Sequence, residues 1–278
     1  MTAPPSTDRG RRIRAFIATK EHRRFTEFAD AVRREGHIGL CYGPAGVGKT
    51  VSARRYAHWD TAESLLQDWG PRTDSDPTIY SALNRSRTVF YTPAVRSTHK
   101  TLVEELQLLT ARVDICIDQH LHNGVSTRRR PANEHIELIV IDEADRLSAP
   151  ALEHLRDRFD RQHLGLLLIG MPGIEKRLAA YPQLYSRIGF AHQYRPLNDD
   201  ELTFVLTRHW RRLGLSLSLD DFTDAQAIAA VGRVTRDNFR LIQRLFTQVE
   251  RVMKINGLQV ITLEVIEAAR STLVIGAE

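Results

Sequence analysis

Apolar positions change their period several times along this chain. In TKEHRRFTEFADAVRREG, residues 19–36, Phe25, Phe28, Ala29 and Val32 recur at helical spacing behind Thr19, a residue suited to capping, and predict an amphipathic helix. HIGLCYG is short, apolar and closed by Gly43; it predicts a buried strand running into a glycine-rich loop, with VSARRYAH continuing as the helix behind it. Residues 60–86 are polar and read as a helical fragment followed by a turn-rich loop. TVFYTPAV, residues 88–95, predicts a second strand. THKTLVEELQLLTARVDI places Leu102, Val103, Leu106, Leu109 and Val113 on the stripe of a helix packed against a sheet. After the loop NGVSTRRRPANEH come a third strand in LIVIDEAD, a helix in PALEHLRDRFDRQ and a fourth strand in LGLLLIGMPG.

Strands alternating with helices predict an α/β fold with a doubly wound parallel sheet, whose ligands bind at the carboxyl ends of the strands. Beyond about residue 198 the period changes. DDELTFVLTRHWRRLG, FTDAQAIAAVG, RDNFRLIQRLFTQVERVMKING and TLEVIEAARSTLV are all helical in spacing, with no strand between them. The expected organisation is a basic disordered arm over residues 1–18, an α/β domain over 19–197 and a small all-helical domain over 198–278.

Composition narrows the class only a little. Hydrophobic residues make up 42% and charged residues 26%, as in ordinary globular proteins. No run of about 18 apolar residues is present, so no membrane span is expected. The polar, basic opening MTAPPSTDRGRRIR lacks the apolar core of a secretory signal, and the expected location is the cytoplasm. Cys41 and Cys116 have no metal-ligand spacing and read as two buried thiols. The net charge of +5 favours approach to a polyanion.

The candidate chemistry lies in two motifs. GPAGVGKT is Gly43, Pro44, Ala45, Gly46, Val47, Gly48, Lys49 and Thr50, followed by Val51, between an apolar strand and a helix. Its glycines let successive amides point inward at phosphates, Lys49 would reach the β- and γ-phosphates of ATP, and the Thr50 hydroxyl would hold Mg²⁺. In LIVIDEAD the strand delivers Asp142 and Glu143 to the same side. Asp142 would bind Mg²⁺ through water, and Glu143 would orient and deprotonate the attacking water.

These motifs, followed by helical segments, resemble the AAA+ ATPases over roughly residues 20–275. The resemblance implies a P-loop AAA+ domain with a helical lid, active as an oligomer. It implies a polar residue sensing the γ-phosphate after the fourth strand, where this chain has Gly170 and Met171 instead, so that a backbone group or a displaced residue would take over. It implies a second sensor, matched by Arg240 in TRDNFRLI, and an arginine finger acting on the neighbouring subunit's nucleotide, matched by Arg187 in YPQLYSRIGF with Arg177 as the alternative.

Within that family, IDEADRL, LLLIGMPGIEKRLAAYPQLYSRIGF and ITLEVIEAARSTLV look most like the ATPases of DNA transposition, the TniB, TnsC and MuB types. The resemblance implies ATP-dependent assembly on duplex DNA as a ring or filament, selection of a target site, and recruitment of a transposase, with a targeting adaptor as a further partner. Two basic loops have no duty to the nucleotide. Arg96, Thr98 and Lys100, and Arg128, Arg129 and Arg130, are the expected contacts to the DNA backbone, without sequence readout. The alternatives are an ATP-driven switch acting on protein partners and a secretion-associated ATPase of the ExeA kind. The latter ordinarily needs a membrane segment, for which this sequence offers no apolar span.

Overall fold

The computed structural model describes residues 16–71, 73–95, 97–122 and 134–273. Its centre is a parallel sheet of β1 (Ile38–Tyr42), β2 (Thr88–Tyr91), β3 (Leu138–Ile141), β4 (Gly165–Gly170) and β5 (Ile188–Gln193), in the order β2-β3-β4-β1-β5. The residues of β2, β3 and β4 are buried throughout, as expected of strands covered on both faces. Helices α1 (Lys20–Glu35), α2 (Lys49–Tyr56), α3 (Trp59–Gln67), α4 (Asp76–Ser86), α5 (His99–Leu121) and α6 (Ala149–Gln162) flank it, and short helices α7 (Ile174–Ala179) and α8 (Pro182–Tyr185) lead into β5.

The predicted caps explain where several helices start. Thr19 accepts from the amide of His22 at the head of α1, and Thr98 accepts from Thr101 at the head of α5. Gly36 ends α1 with φ of 60°.

Three differences from the sequence reading have local causes. The segment read as a turn-rich loop contains α4, which carries Pro77 in its first turn and buries Tyr80, Ala82, Leu83 and Ser86. Proline is as much at home in a helix's first turn as in a loop. The second strand stops at Tyr91 instead of running to Val95, because Pro93 has no amide to give a sheet. The fifth strand was not anticipated. It is an edge strand whose residues alternate between half-buried and exposed, and Gly189 and His192 interrupt any apolar period.

Four further helices follow: α9 (Asp199–Arg212), α10 (Phe222–Thr235), α11 (Phe239–Asn256) and α12 (Leu263–Ser271). Asn198 and Glu201 close a capping box at the head of α9. The apolar residues form two clusters. One runs from Phe25 to Tyr194 around the sheet, the other from Leu197 to Ala269 among these helices, with Ile17 packed against the second. Cys41 and Cys116 are both buried, and neither is in a disulfide among the described residues. Among the described residues no helix is long and apolar enough to cross a membrane.

Candidate functional site

The sheet order brings the two motifs together. β1 and β4 are neighbours in register from Ile38 with Leu166 to Tyr42 with Gly170, and β3 pairs with β4 up to Ile141 with Leu168. The loop 43–48, Asp142 and Met171 therefore leave one end of three adjacent strands, the carboxyl end at which parallel sheets bind ligands. A cleft of about 360 Å³ opens there. Ala45, Gly46, Gly48, Lys49, Thr50 and Val51 line one wall, Asp142, Glu143, Asp145 and Met171 a second, and Phe239, Arg240 and Gln243 of α11 a third.

The loop has the backbone an anion needs. Gly46 sits at φ of 80°, and a Cβ there would come within 2.4 Å of the Asn238 Oδ1, so any side chain at this position would be strained on two counts. The first turn of α2 has no side-chain cap, which leaves its amides and the positive end of its dipole facing the cleft. Pro44 and Val47 do not line the cleft; Val47 is buried in the sheet's core, and the carbonyls of Gly43 and Pro44 accept from the Lys49 ammonium. Burial lowers the Lys49 pKa, opposed by the nearby Cys41 thiol and by the carboxylates of Asp142 and Asp145.

Asp142 is buried at the end of β3, its amide donating to Tyr91 O at 2.8 Å. Burial raises its pKa, while a hydrogen bond with Thr50, the Glu143 amide and the Lys49 charge pull the other way. A buried carboxylate beside a threonine hydroxyl is a pair of hard oxygen donors, which fits Mg²⁺ shared with phosphate oxygens and water. Glu143 is held at φ of 50°, a conformation uncommon outside glycine, and pairs with Arg146.

After β4, where the resemblance implies a polar side chain and this chain has Gly170 and Met171, the structure places a carboxylate from the turn that follows β3. The Asp145 carboxylate accepts from the Met171 amide at 2.8 Å and lines the cleft. Gly170 makes room for it, since a Cβ there would lie 2.7 Å from Asp145 Oδ2. Asn238 was also missed. Its side chain caps α11 by accepting from the amides of Arg240 and Leu241, and its Nδ2 donates to Ala45 O at 2.7 Å. Asp145 stands inside a motif already singled out, and Asn238 carries the ordinary cap signal ahead of an apolar helix, so both were findable in principle.

Arg240 reaches the cleft, and its amide also donates to Gly46 O at 3.0 Å. Arg187 does not. It precedes Ile188, which pairs with Ile38 at the start of β1, so a whole strand of about 16 Å separates it from its own phosphate loop. Its Nε donates to Asp160 at 2.6 Å. Arg177 donates to the carbonyls of Asp145 and Leu147 and so braces the turn after β3. Of the expected DNA contacts, the Thr98 hydroxyl is engaged in capping α5, Lys100 is 84% exposed beside Glu104, and Arg96, Arg128, Arg129 and Arg130 lie outside the described residues.

Comparison with known proteins agrees with this geometry. Residues 32–178 match the family model described as "AAA domain". The chain is 45% identical over 266 residues to a Staphylococcus aureus protein named "Potential ATP-binding protein", covering 94% of this chain and 97% of that one. Among solved structures it is similar to the Thermotoga maritima RuvB Holliday junction branch migration motor, with a TM-score of 0.55 and 17% identity over 91% of this chain and 68% of that one. It is likewise similar to the Aeropyrum pernix ORC2 protein in its ADP form, with a TM-score of 0.54 and 14% identity over 94% and 70%. The chain belongs to the AAA+ P-loop ATPases.

Proposed function

We propose that this AAA+ ATPase, which binds and hydrolyses ATP with Mg²⁺, assembles on duplex DNA in its ATP-bound form and regulates transposition by selecting target DNA and recruiting a transposase. In this reading Lys49 and the loop amides hold the phosphates, Thr50 and Asp142 hold Mg²⁺, Glu143 positions and deprotonates the attacking water, and Arg240 senses the γ-phosphate. Bound Mg²⁺ supplies charge neutralisation at the transferred phosphoryl group. Arg187, remote from its own cleft, acts on the neighbouring subunit's nucleotide.

The observation that carries the DNA reading is the bridge made by Arg146. Its guanidinium pairs with Glu143 on one side and donates to Pro93 O at 2.9 Å on the other. Pro93 belongs to the loop that carries Arg96 and leads to Thr98 and Lys100, so the group expected to activate water is linked by one side chain to a segment expected to touch DNA. Backbone phosphate contacts from such a segment need no sequence readout. The net charge of +5 and the likeness in fold to RuvB, a Holliday junction branch migration motor, support the same direction.

Replacing Arg146 by alanine tests the link. In the wild type, duplex DNA is expected to change the rate of ATP hydrolysis; in the Arg146→Ala variant the rate is expected to become indifferent to duplex, while duplex affinity stays. A variant that keeps the full response would remove Arg146 from the coupling.

A further inference from the structure

At the end of α2 opposite the phosphate loop lies an open polar groove of about 340 Å³. It is lined by His22, Asp30 and Arg33 of α1, Arg55 near the end of α2, His58 ahead of α3, and Arg85 near the end of α4, and it shares no residue with the ATP cleft. Arg33 and the adjacent Arg34 are a basic pair that neither ATP binding nor the proposed DNA loops use.

Three guanidinium groups face one carboxylate. Asp30 is already engaged, accepting from the Tyr56 hydroxyl at 2.7 Å and meeting Arg33 at 3.5 Å. Arg33 donates to Ser86 O at 3.0 Å and approaches Glu137 at 3.6 Å. Arg55 and Arg85 are exposed and have no ion pair with a carboxylate among the described residues. Arg55 lies over the Phe16 ring at 5.4 Å, and Arg85 meets only the Ser81 hydroxyl at 3.4 Å. Two positive charges are thus left over. The carbonyl ends of α2 and α4 contribute about half a negative charge each, which offsets only part of this excess.

The histidines register the resulting potential. His22 and His58 are both held below the ordinary histidine pKa, by burial first, then by Arg55 and Arg23 at His22 and by Arg85 and Arg55 at His58. A neutral imidazole keeps one N–H to donate without adding charge. Two arginine forks and a neutral histidine lining one groove are the donor set that a tetrahedral oxyanion takes.

We infer that this groove is a phosphate-binding site, in which Arg55 and Arg85 grip the oxyanion and His58 supplies a further donor. The phosphate is either a diester of a nucleic-acid backbone or a free phosphate, and the site stands whether or not the chain binds DNA.

The test uses the full chain saturated with Mg²⁺ and the slowly hydrolysed analogue ATPγS, so that the γ-phosphate position of the cleft is filled. Inorganic phosphate is titrated calorimetrically into the wild type, an Arg55→Ala/Arg85→Ala variant and an Arg55→Lys/Arg85→Lys variant. Both residues are exposed, so the fold is expected to survive, and thermal melting checks it. The wild type is expected to take up one phosphate, the alanine variant to bind it at least about tenfold more weakly, and the lysine variant to restore much of the affinity.

In a second arm, a random duplex is titrated at several salt concentrations. A salt slope smaller by about 2 in the alanine variant identifies a nucleic-acid backbone as the source. Loss of inorganic phosphate uptake with unchanged duplex binding identifies a free phosphate. An alanine variant that matches the wild type in both arms overturns the site.

Discussion

The side-chain amide of Asn238 donates to the backbone carbonyl of Ala45 at 2.7 Å, joining the head of α11 to the phosphate loop. The same carboxamide caps α11, and two non-glycine residues with positive φ, Arg236 at 48° and Asp237 at 57°, set it in place. The phosphate loop is in this way fixed relative to Arg240 of α11.

Replacing Asn238 by alanine removes both duties. Loss of the cap alone costs about 1 kcal/mol, and loss of the link to Ala45 a similar amount. ATP affinity, read by calorimetry, is expected to fall about tenfold along with the melting temperature. A lower melting temperature with unchanged ATP affinity would confine Asn238 to capping.

Asp142 trades stability for chemistry. Its pKa is raised in the fold above the ordinary value of 3.8, so its protonated form is the one folding favours. The stability linked to that proton is fully present below pH 3.8 and is lost as pH rises through the folded value. Asp142→Asn is therefore expected to melt a few degrees higher than the wild type at pH 7, to lose that advantage toward pH 3.8, and to lose Mg²⁺-dependent ATP hydrolysis. Calorimetric melting across pH checks the first two, and a variant less stable at pH 7 would contradict the sign.

Arg187 and Lys49 serve different subunits in the proposed assembly. Each of Arg187→Ala and Lys49→Ala is expected to be inactive alone. An equimolar mixture should recover roughly a quarter of the wild-type rate, the share of random interfaces that join an intact phosphate loop to an intact Arg187. No recovery on mixing, in a sample shown to co-assemble, would return Arg187 to the role of partner to Asp160.

The parts of this molecule that were legible in the sequence are those fixed by short-range chemistry. GPAGVGKT and LIVIDEAD announce both their elements and their ligands, because glycines, one lysine and one buried strand suffice. The fifth strand was not legible, since an edge strand with Gly189 and His192 needs no apolar run and gains its place by pairing with β1. Nor was the pairing of Asp145 with Met171, or of Asn238 with Ala45. These depend on strand order and on where α11 meets the loop, and no spacing along the chain carries that information.

In the proposed function, ATP binding drives assembly on DNA. The most direct measurement is electron microscopy of the purified full chain with ATPγS and Mg²⁺, with and without a random duplex, at low salt. Rings or filaments that form only when nucleotide and duplex are both present are the predicted result. Particles of the same size and shape with and without duplex would contradict it.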